Sequence, residues 1–540
     1  MKNVVLFLFL VSSFIGWSQQ DAWVYFKDKP NSATFFSNPL SELSQRALDR
    51  RTSQGIALDV KDAPISQTYI NDITNSTGIT VKAKSKWLNC LHIRGSQSDI
   101  NTLKLLPAVA KVVFADKTLN TNTKSSAKPN FKPINKTMDT KILFNYGGSA
   151  NQIQMLNGHL LHQANYTGSG KIIALLDSGF PAVDTAEPFQ RLIVNGSILG
   201  GYDFVSRNTN FFAGNSHGTL VLSTIGGFKD GQLVGTAPDA KFYLFITEDV
   251  ASENPVEESN WVEAAEEADR VGVDIITSSL GYFGYDNPAY SHTYADMTGN
   301  SAFASQGANI AFSKGIFVLA SAGNGGQDIE PHVGVPAEAI NVLGIGAVKS
   351  DETYALFSSI GPSFDGRVKP DVTAQGQASV FSNTAGTIVT GNGTSFSCPI
   401  LAGVVACLWQ ALPGKTNAQI KQLIIESADN FNPIVKSRNQ YGYGIPDFNL
   451  ALSNGLSVND FSKNDFVVYP NPTSDVISVT LPNKSNVKTI AIYNVLGQLV
   501  LEKNILGQST TISLKSLNSG MYFYKIDSDG SSKSGKIIKQ

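Results

Sequence analysis

The sequence predicts an α/β centre, a parallel sheet with helices on both faces, preceded by a small α+β unit and followed by an all-β sandwich. Three observations predict it. Between residues 152 and 452 short apolar runs alternate with amphipathic helical segments, the pattern of a parallel sheet covered on both sides. Residues 19–116 mix strand-like and helix-like periods, and residues 466–540 alternate with period two between turn signals. The 540 residues make room for about three or four folded units. Net charge is -2, from 42 Lys and Arg against 44 Asp and Glu. That balance offers neither a basic footprint for nucleic acid nor an acidic tail for a charged partner.

In chain order, Met1-Lys2-Asn3, the apolar run 4–11 and the ending Gly16-Trp17-Ser18 read as a signal peptide over residues 1–18, its apolar core well short of the ~20 residues that span a bilayer. Export is therefore expected, yet only three cysteines occur, Cys90, Cys398 and Cys407. The last two lie on one predicted helix, about 13 Å apart by helical rise and beyond disulfide reach. Stability is expected from core size instead, and Cys398 reads as a small buried hydrophobe rather than a reactive thiol.

The α+β unit, residues 19–116, reads as strands at 23–26, 80–93 and 109–114 with helices at 41–51, 65–73 and 98–106. From Lys117 the periodicity fades and Asn, Thr, Ser, Lys and Pro accumulate, so residues 117–151 read as a linker and maturation region. In the centre, strands are predicted at 172–176, 242–246, 273–279, 317–320 and 342–347. Helices are predicted at 256–271, with Trp261, Ala264, Ala265 and Ala268 on one face, and at 303–314. After a polar linker at 453–465, the last unit offers strands at 476–481, 487–493, 498–503, 510–514, 521–526 and 535–538.

Three short segments bring chemistry to the centre. Gly393-Thr394-Ser395-Phe396-Ser397-Cys398-Pro399 runs straight into an apolar stretch at 400–412, which puts a serine hydroxyl at a helix mouth. Amide N–H groups and the positive end of the helix dipole there suit an oxyanion. Acyl transfer by serine also needs a base and a group to orient it. Of six histidines, His217 stands out: Asn215-Ser216-His217-Gly218-Thr219 opens a helix continued by Leu220, Val221, Leu222 and Ile225. Such a residue faces the carboxyl edge of the sheet, where α/β sites lie. Asp177 ends the buried run 172–176 and is followed by the turn Ser178-Gly179. From there it can accept from one ring nitrogen of His217, fix the tautomer and favour the imidazolium. The chain order Asp, His, Ser is that of subtilisin, not of chymotrypsin or the α/β-hydrolases.

On these motifs residues 166–452 resemble a subtilisin-like serine peptidase. The resemblance implies Asp177, His217 and Ser395 as the catalytic triad. It implies Asn324, in Ser321-Ala322-Gly323-Asn324-Gly325, as the donor that shares the oxyanion with the Ser395 backbone N–H. Ser278-Ser279-Leu280-Gly281 resembles the edge segment on which substrate lies as an added antiparallel strand. Ser279, Leu280, Gly281, Ser321, Ala322 and Gly323 are thus the implied substrate-binding residues. Tyr282 and Phe283 either line a subsite for an apolar side chain or simply pack. Residues 357–362 and 369–372 match a later scaffold pattern, which leaves Asp371 outside the triad. The serine motif departs from the commonest family version, with Phe396-Ser397-Cys398 where Met and Ala usually follow the serine. A non-catalytic peptide-binding or adhesive protein on the same scaffold is the alternative.

No cofactor is required for this chemistry. His159 and His162 could share a helical face and a metal, but no Cys or carboxylate partner shows metal-site spacing, so a solvated pair is expected. The family often binds structural calcium, and no loop here is assignable to it. The apolar stretch 399–412 reads as a buried core helix rather than a membrane span.

The flanks carry two further resemblances. Residues 22–114 resemble the family's inhibitory propeptide, which makes the chain's own N-terminal unit its inhibitor and residues 117–141 a cleavage zone; a spacer or adhesion domain is the alternative. Val468-Tyr469-Pro470-Asn471-Pro472, Ile492-Tyr493-Asn494-Val495-Leu496-Gly497, Leu517-Asn518-Ser519-Gly520-Met521-Tyr522 and the ending 536–540 resemble the type A sorting domain of type IX secretion in Bacteroidetes. The implied partners are protein or peptide substrates, signal peptidase and the type IX machinery, with a secreted or cell-surface destination reached through the periplasm. A carbohydrate-binding sandwich would need an exposed aromatic platform that the sequence does not reveal.

Overall fold

Seven parallel strands build the centre: β1 (Ile172–Asp177), β2 (Ile198–Asp203), β3 (Lys241–Ile246), β4 (Ile275–Ser278), β5 (Phe317–Ser321), β6 (Leu343–Val348) and β7 (Val372–Gln375). Their spatial order is β7-β6-β5-β4-β1-β3-β2. The chain enters at β1, moves to one side for β2 and β3, then crosses to the other for β4 to β7. That reversal makes a switch point beside β1, where the carboxyl ends of strands open a crevice. The computed structural model describes residues 19–120, 144–456, 467–480, 488–505, 509–528 and 531–540. The predicted signal peptide, residues 121–143 of the predicted linker and maturation region and most of the predicted 453–465 linker lie outside the described residues.

Every residue of β1 is buried, as its continuous apolar run requires of a strand covered on both faces. Alternate side chains go to opposite sides. Ile173 and Leu175 join Val221, Leu222 and Ile225 of helix α1 (His217–Gly226) and the apolar side chains of a long helix, Thr394–Ala411. Ile172, Ala174 and Leu176 meet Trp261, Ala264, Ala265 and Ala268 of α2 (Val256–Val271) and Ala304, Ala308 and Ala311 of α3 (Phe303–Ser313). The long helix, α4, is apolar enough to cross a membrane by composition, yet it is buried in this core, as expected. The sequence did not reveal β2, β7 or the hairpin Ser379–Ser382 with Ile388–Gly391. β2 is a half-buried edge strand with two glycines, and the others are four residues each, too short for periodicity to register.

The body also extends beyond residues 152 and 452. Tyr146 joins the core, the helix Ala150–Gln154 precedes it, and the helix Phe448–Leu456 runs on after it. The N-terminal domain is an antiparallel sheet in the order Ile79–Ser85, Cys90–Ser96, Gln19–Phe26, Val109–Phe114. The single strand predicted at 80–93 is in fact a hairpin, turned at Asn89 in a left-handed conformation. Asparagine tolerates that geometry where most residues do not.

In the C-terminal unit, Val467–Tyr469, Val476–Thr480 and Ser509–Ser513 form one antiparallel sheet. Leu499–Ile505, Lys488–Tyr493, Gly520–Ser528 and Ser531–Lys539 form another. Ile477, Val479 and Ile512 from the first share one core with Ile490, Ile492, Tyr524 and Ile537 from the second, so the two sheets pack as a sandwich.

Candidate active site

Four pieces converge at the carboxyl edge of the sheet. Asp177 is the last residue of β1 and is fully buried. Its Oδ1 accepts from the Ser178 backbone N–H at 2.8 Å and faces His217 Nδ1 at 2.8 Å. His217 is the first residue of α1, and its own N–H donates to Asn215 Oδ1 at 3.0 Å. The next residue has to be glycine: a Cβ on Gly218 would lie 2.4 Å from the Gly179 carbonyl oxygen. This contact presses the mouth of α1 onto the turn after Asp177 and brings the imidazole and the carboxylate together. The Asp177 carboxylate raises the His217 pKa above the usual histidine value, against the opposing effect of burial.

Ser395 is the second residue of α4 and is partly exposed. Its hydroxyl donates to the Ser279 carbonyl at 3.3 Å rather than to His217, while the Ser279 hydroxyl donates to the Ser395 carbonyl at 3.0 Å. The second bond has a covalent cause. Pro399, four residues on, has no N–H, so the Ser395 carbonyl lacks its helical partner. Ser279 fills the gap and thereby ties the start of α4 to the end of β4. The sequence reading placed Ser279 with substrate; its hydroxyl is instead spent on α4. A proline at that spacing was the signal that an orphan carbonyl needed a donor.

Asn324 follows β5. Its Oδ1 accepts from both the N–H and the hydroxyl of Thr394, at 2.9 and 3.0 Å. The amide is thereby fixed with Nδ2 free. A methyl placed on Gly393 would lie 3.8 Å from that Nδ2 and 3.6 Å from the Ser395 nitrogen, so the two donors flank one point beside Ser395.

Gly281, Ser321, Ala322, Gly323 and Asn324 line a cavity of about 780 Å³. Leu280 packs against the core instead. Tyr282 is buried and its hydroxyl donates to Glu248 Oε1 at 2.6 Å, while Tyr282 and Phe283 both line the same cavity.

One expectation changes. His162 is not solvated: it is buried, Nδ1 accepts from the Tyr146 hydroxyl at 2.8 Å and Nε2 donates to the Thr236 carbonyl at 3.0 Å. Burial pushes its pKa down to about 4, which marks a neutral core histidine. Asp371 takes Lys369 Nζ and the Gly344 N–H, both at 2.7 Å, inside the scaffold. Cys398 is buried with its thiol pushed up to about 12, hence unreactive. Among the described residues no group of three His, Cys, Asp or Glu side chains is placed to hold a metal.

Residues 168–444 match the model of the subtilase family. The chain belongs to the subtilase family. It is 31% identical over 280 residues to Subtilisin from Bacillus pumilus, covering 51% of this chain and 90% of that protein. It is likewise 31% identical over 280 residues to Subtilisin NAT from Bacillus subtilis subsp. natto, and 29% identical over 285 residues to Subtilisin Savinase from Lederbergia lenta. These alignments cover 51% and 53% of the chain; it spans 65% of the length of the former relative and 91% of the latter. Residues 21–131 match the Peptidase S8 propeptide domain of Bacteroidota, and residues 467–540 a secretion system C-terminal sorting domain. The last match marks this subtilase for secretion or the cell surface.

The propeptide domain of this subtilase docks on α2. Trp23 stacks on Phe303 with ring centroids 5.1 Å apart and donates to Ser259 Oγ at 2.9 Å. The Glu266 carboxylate accepts from Ser85 Oγ at 2.6 Å and from the Lys86 and Trp87 N–H groups at 2.9 Å. At the end of α2, Asp269 is gripped by Arg50 and by Arg51, the latter at 2.6 Å.

Proposed function

We propose that this subtilase is a serine endopeptidase made as an autoinhibited precursor. The observation that carries the reading is the 2.8 Å Asp177–His217 pair set beside a helix-mouth serine and a fixed asparagine amide. Ser395 Oγ attacks the carbonyl carbon of a peptide bond while His217 Nε2 takes the hydroxyl proton. The Ser395 N–H and Asn324 Nδ2 hold the oxyanion. Collapse breaks the C–N bond, His217 returns the proton to the leaving amine, and an acyl ester remains on Ser395. Water then attacks that ester, His217 takes its proton, and the acid is released as Ser395 recovers its hydrogen. One water is consumed per bond, and neither metal nor cofactor enters the scheme. The observed Ser395 rotamer suits a resting site, since catalytic hydrogen bonds commonly tighten only when substrate arrives.

The partners in this reading are protein or peptide substrates, the propeptide domain as inhibitor, signal peptidase and the type IX export machinery. Ser395→Ala is expected to abolish casein hydrolysis and labelling by a fluorophosphonate. Undiminished hydrolysis by that variant would overturn the reading. Binding of peptides without turnover by the wild-type, propeptide-free protein would establish the non-catalytic alternative.

A further inference from the structure

We propose that the cavity beside Asn324 selects a lysine or arginine side chain on the acyl side of the cleaved bond, and that the chain's own segment 117–141 is one such substrate. The proposal rests on the endopeptidase reading and adds its specificity.

The cavity opens where the side chain preceding the scissile bond has to go, between the edge segment at Gly281 and the strand end Ser321-Ala322-Gly323. Its charged lining is of one sign. Asp328 and Glu330 both face it, and no lysine or arginine among the described residues lines it. The Asp328 carboxylate sits over the residue after Asn324, 2.9 Å from where a Cβ on Gly325 would be. Glu330 Oε2 lies 3.6 Å from Nδ1 of His332, another lining residue. The remaining wall suits an aliphatic stem. Phe283 flanks it, and Gly334 leaves it open, since a Cβ there would meet nothing closer than the Tyr282 oxygen at 3.4 Å. A long cation can lay its methylenes along this wall and bring its head to the carboxylates. A glutamate at the same place would meet like charge. Both carboxylates are exposed, so solvent screens them and the discrimination is about tenfold rather than thousands.

Independent support comes from the segment that must be cut to free the propeptide domain. Residues 117–141 carry Lys117, Lys124, Lys128, Lys132, Lys136 and Lys141 against a single acid, Asp139. Lys128 and Lys132 precede prolines, whose rings crowd the bond and remove its N–H. Of the other four, Lys117 is held by Asp296, which leaves Lys124, Lys136 and Lys141 as sites. The segment also starts close by. Lys117 Nζ pairs with Asp296 Oδ2 at 2.8 Å and donates to the Ser291 carbonyl at 3.1 Å. Between those two residues lies Tyr294, whose ring stacks 3.7 Å from that of His332 on the cavity wall.

The test uses the secreted, self-processed enzyme with peptides identical except for Lys, Arg, Leu, Phe or Glu before the cleaved bond. The expected kcat/KM for Lys and Arg exceeds that for Leu and Phe by about tenfold or more, with Glu lowest. A Asp328→Asn, Glu330→Gln double variant should cut that ratio about tenfold while the Leu and Phe peptides stay within about twofold. Mass spectrometry of the matured protein should find N-termini at Ser125, Thr137 or Ile142, and Ser395→Ala precursor should remain uncut there. A wild-type preference for Leu or Phe, or a ratio unmoved in the double variant, overturns the specificity. Mature N-termini that follow none of the lysines overturn the self-substrate half. No cleavage of any peptide by wild-type protein would instead remove the endopeptidase reading beneath it.

Discussion

The two faces of the central sheet are built on different principles. On the face that carries α1 and α4, the helices bearing His217 and Ser395, the contacts are almost wholly apolar: α4 is buried from Phe396 to Trp409. On the other face, α2 buries Glu257, Glu258, Glu266 and Asp269 beside its tryptophan and alanines. Glu266 and Asp269 find their side-chain partners in the propeptide domain, and Ser259 binds that domain's Trp23 and His92. Apolar packing fixes a site permanently, because exposing it again costs the hydrophobic term in full. Polar groups can be handed back to water when a domain leaves, so they suit a contact that is specific and separable.

A matched pair of variants breaks this comparison most directly. Asp269→Ala leaves the buried Arg50 without its carboxylate, while Arg51, also buried, keeps Asp62 at 2.9 Å. Stranding a buried charge costs about 3–5 kcal/mol. The loss should fall on propeptide docking, measured as inhibition by the propeptide domain added in trans, with the melting temperature of mature enzyme nearly unchanged. Leu401→Ala on the opposite face should do the reverse, destabilising the mature enzyme by about 2–5 kcal/mol and leaving docking intact. If both variants affect both quantities alike, the two faces are not functionally separate.

Next in size is the proposed oxyanion donor. Asn324→Ala keeps the fold but removes Nδ2 and frees Thr394. The expected loss is about 10²–10³ in kcat with KM little changed, the magnitude being that known for the corresponding donor of subtilisin. An equal rise in KM would mean that Asn324 holds substrate rather than the transition state.

What was legible in the sequence divides along the same line. The apolar face announces itself, because continuous runs such as 172–176 and 400–412 have no other stable place, and the residues at their ends follow once the strands are placed. Asp177, His217, Ser395 and Asn324 were all singled out this way, with the family's chain order as guide, and the structure brings them to one edge of the sheet. The polar face was silent. Glu266 and Asp269 look like the solvent side of an amphipathic helix until the partner that covers them is known, and His162 looked solvated for want of its partners Tyr146 and Thr236. Short or glycine-bearing strands such as β2 and β7 were missed because they owe their form to neighbours rather than to their own period.

The smallest expected effect tests the seam between the two faces. Ser279 is the first residue after β4 and bonds α4 through the carbonyl that Pro399 leaves orphaned. Ser279→Ala removes that donor but keeps the backbone carbonyl that receives the Ser395 hydroxyl. An unsatisfied buried acceptor costs about 1–3 kcal/mol; this one is partly buried, and its loss loosens the turn that aims Ser395. The expected result is a fall of roughly tenfold in kcat, within that range, with KM nearly constant. The pH profile separates positioning from a change in the base. His217 must be neutral to accept a proton, and Asp177 raises its pKa, so activity should be lost as pH falls through a midpoint above the ordinary histidine value of about 6.5. In Ser279→Ala that midpoint should stay where it is while the plateau drops. A shifted midpoint would show that Ser279 acts through His217. An unchanged plateau would show that the Pro399 gap is satisfied well enough by water.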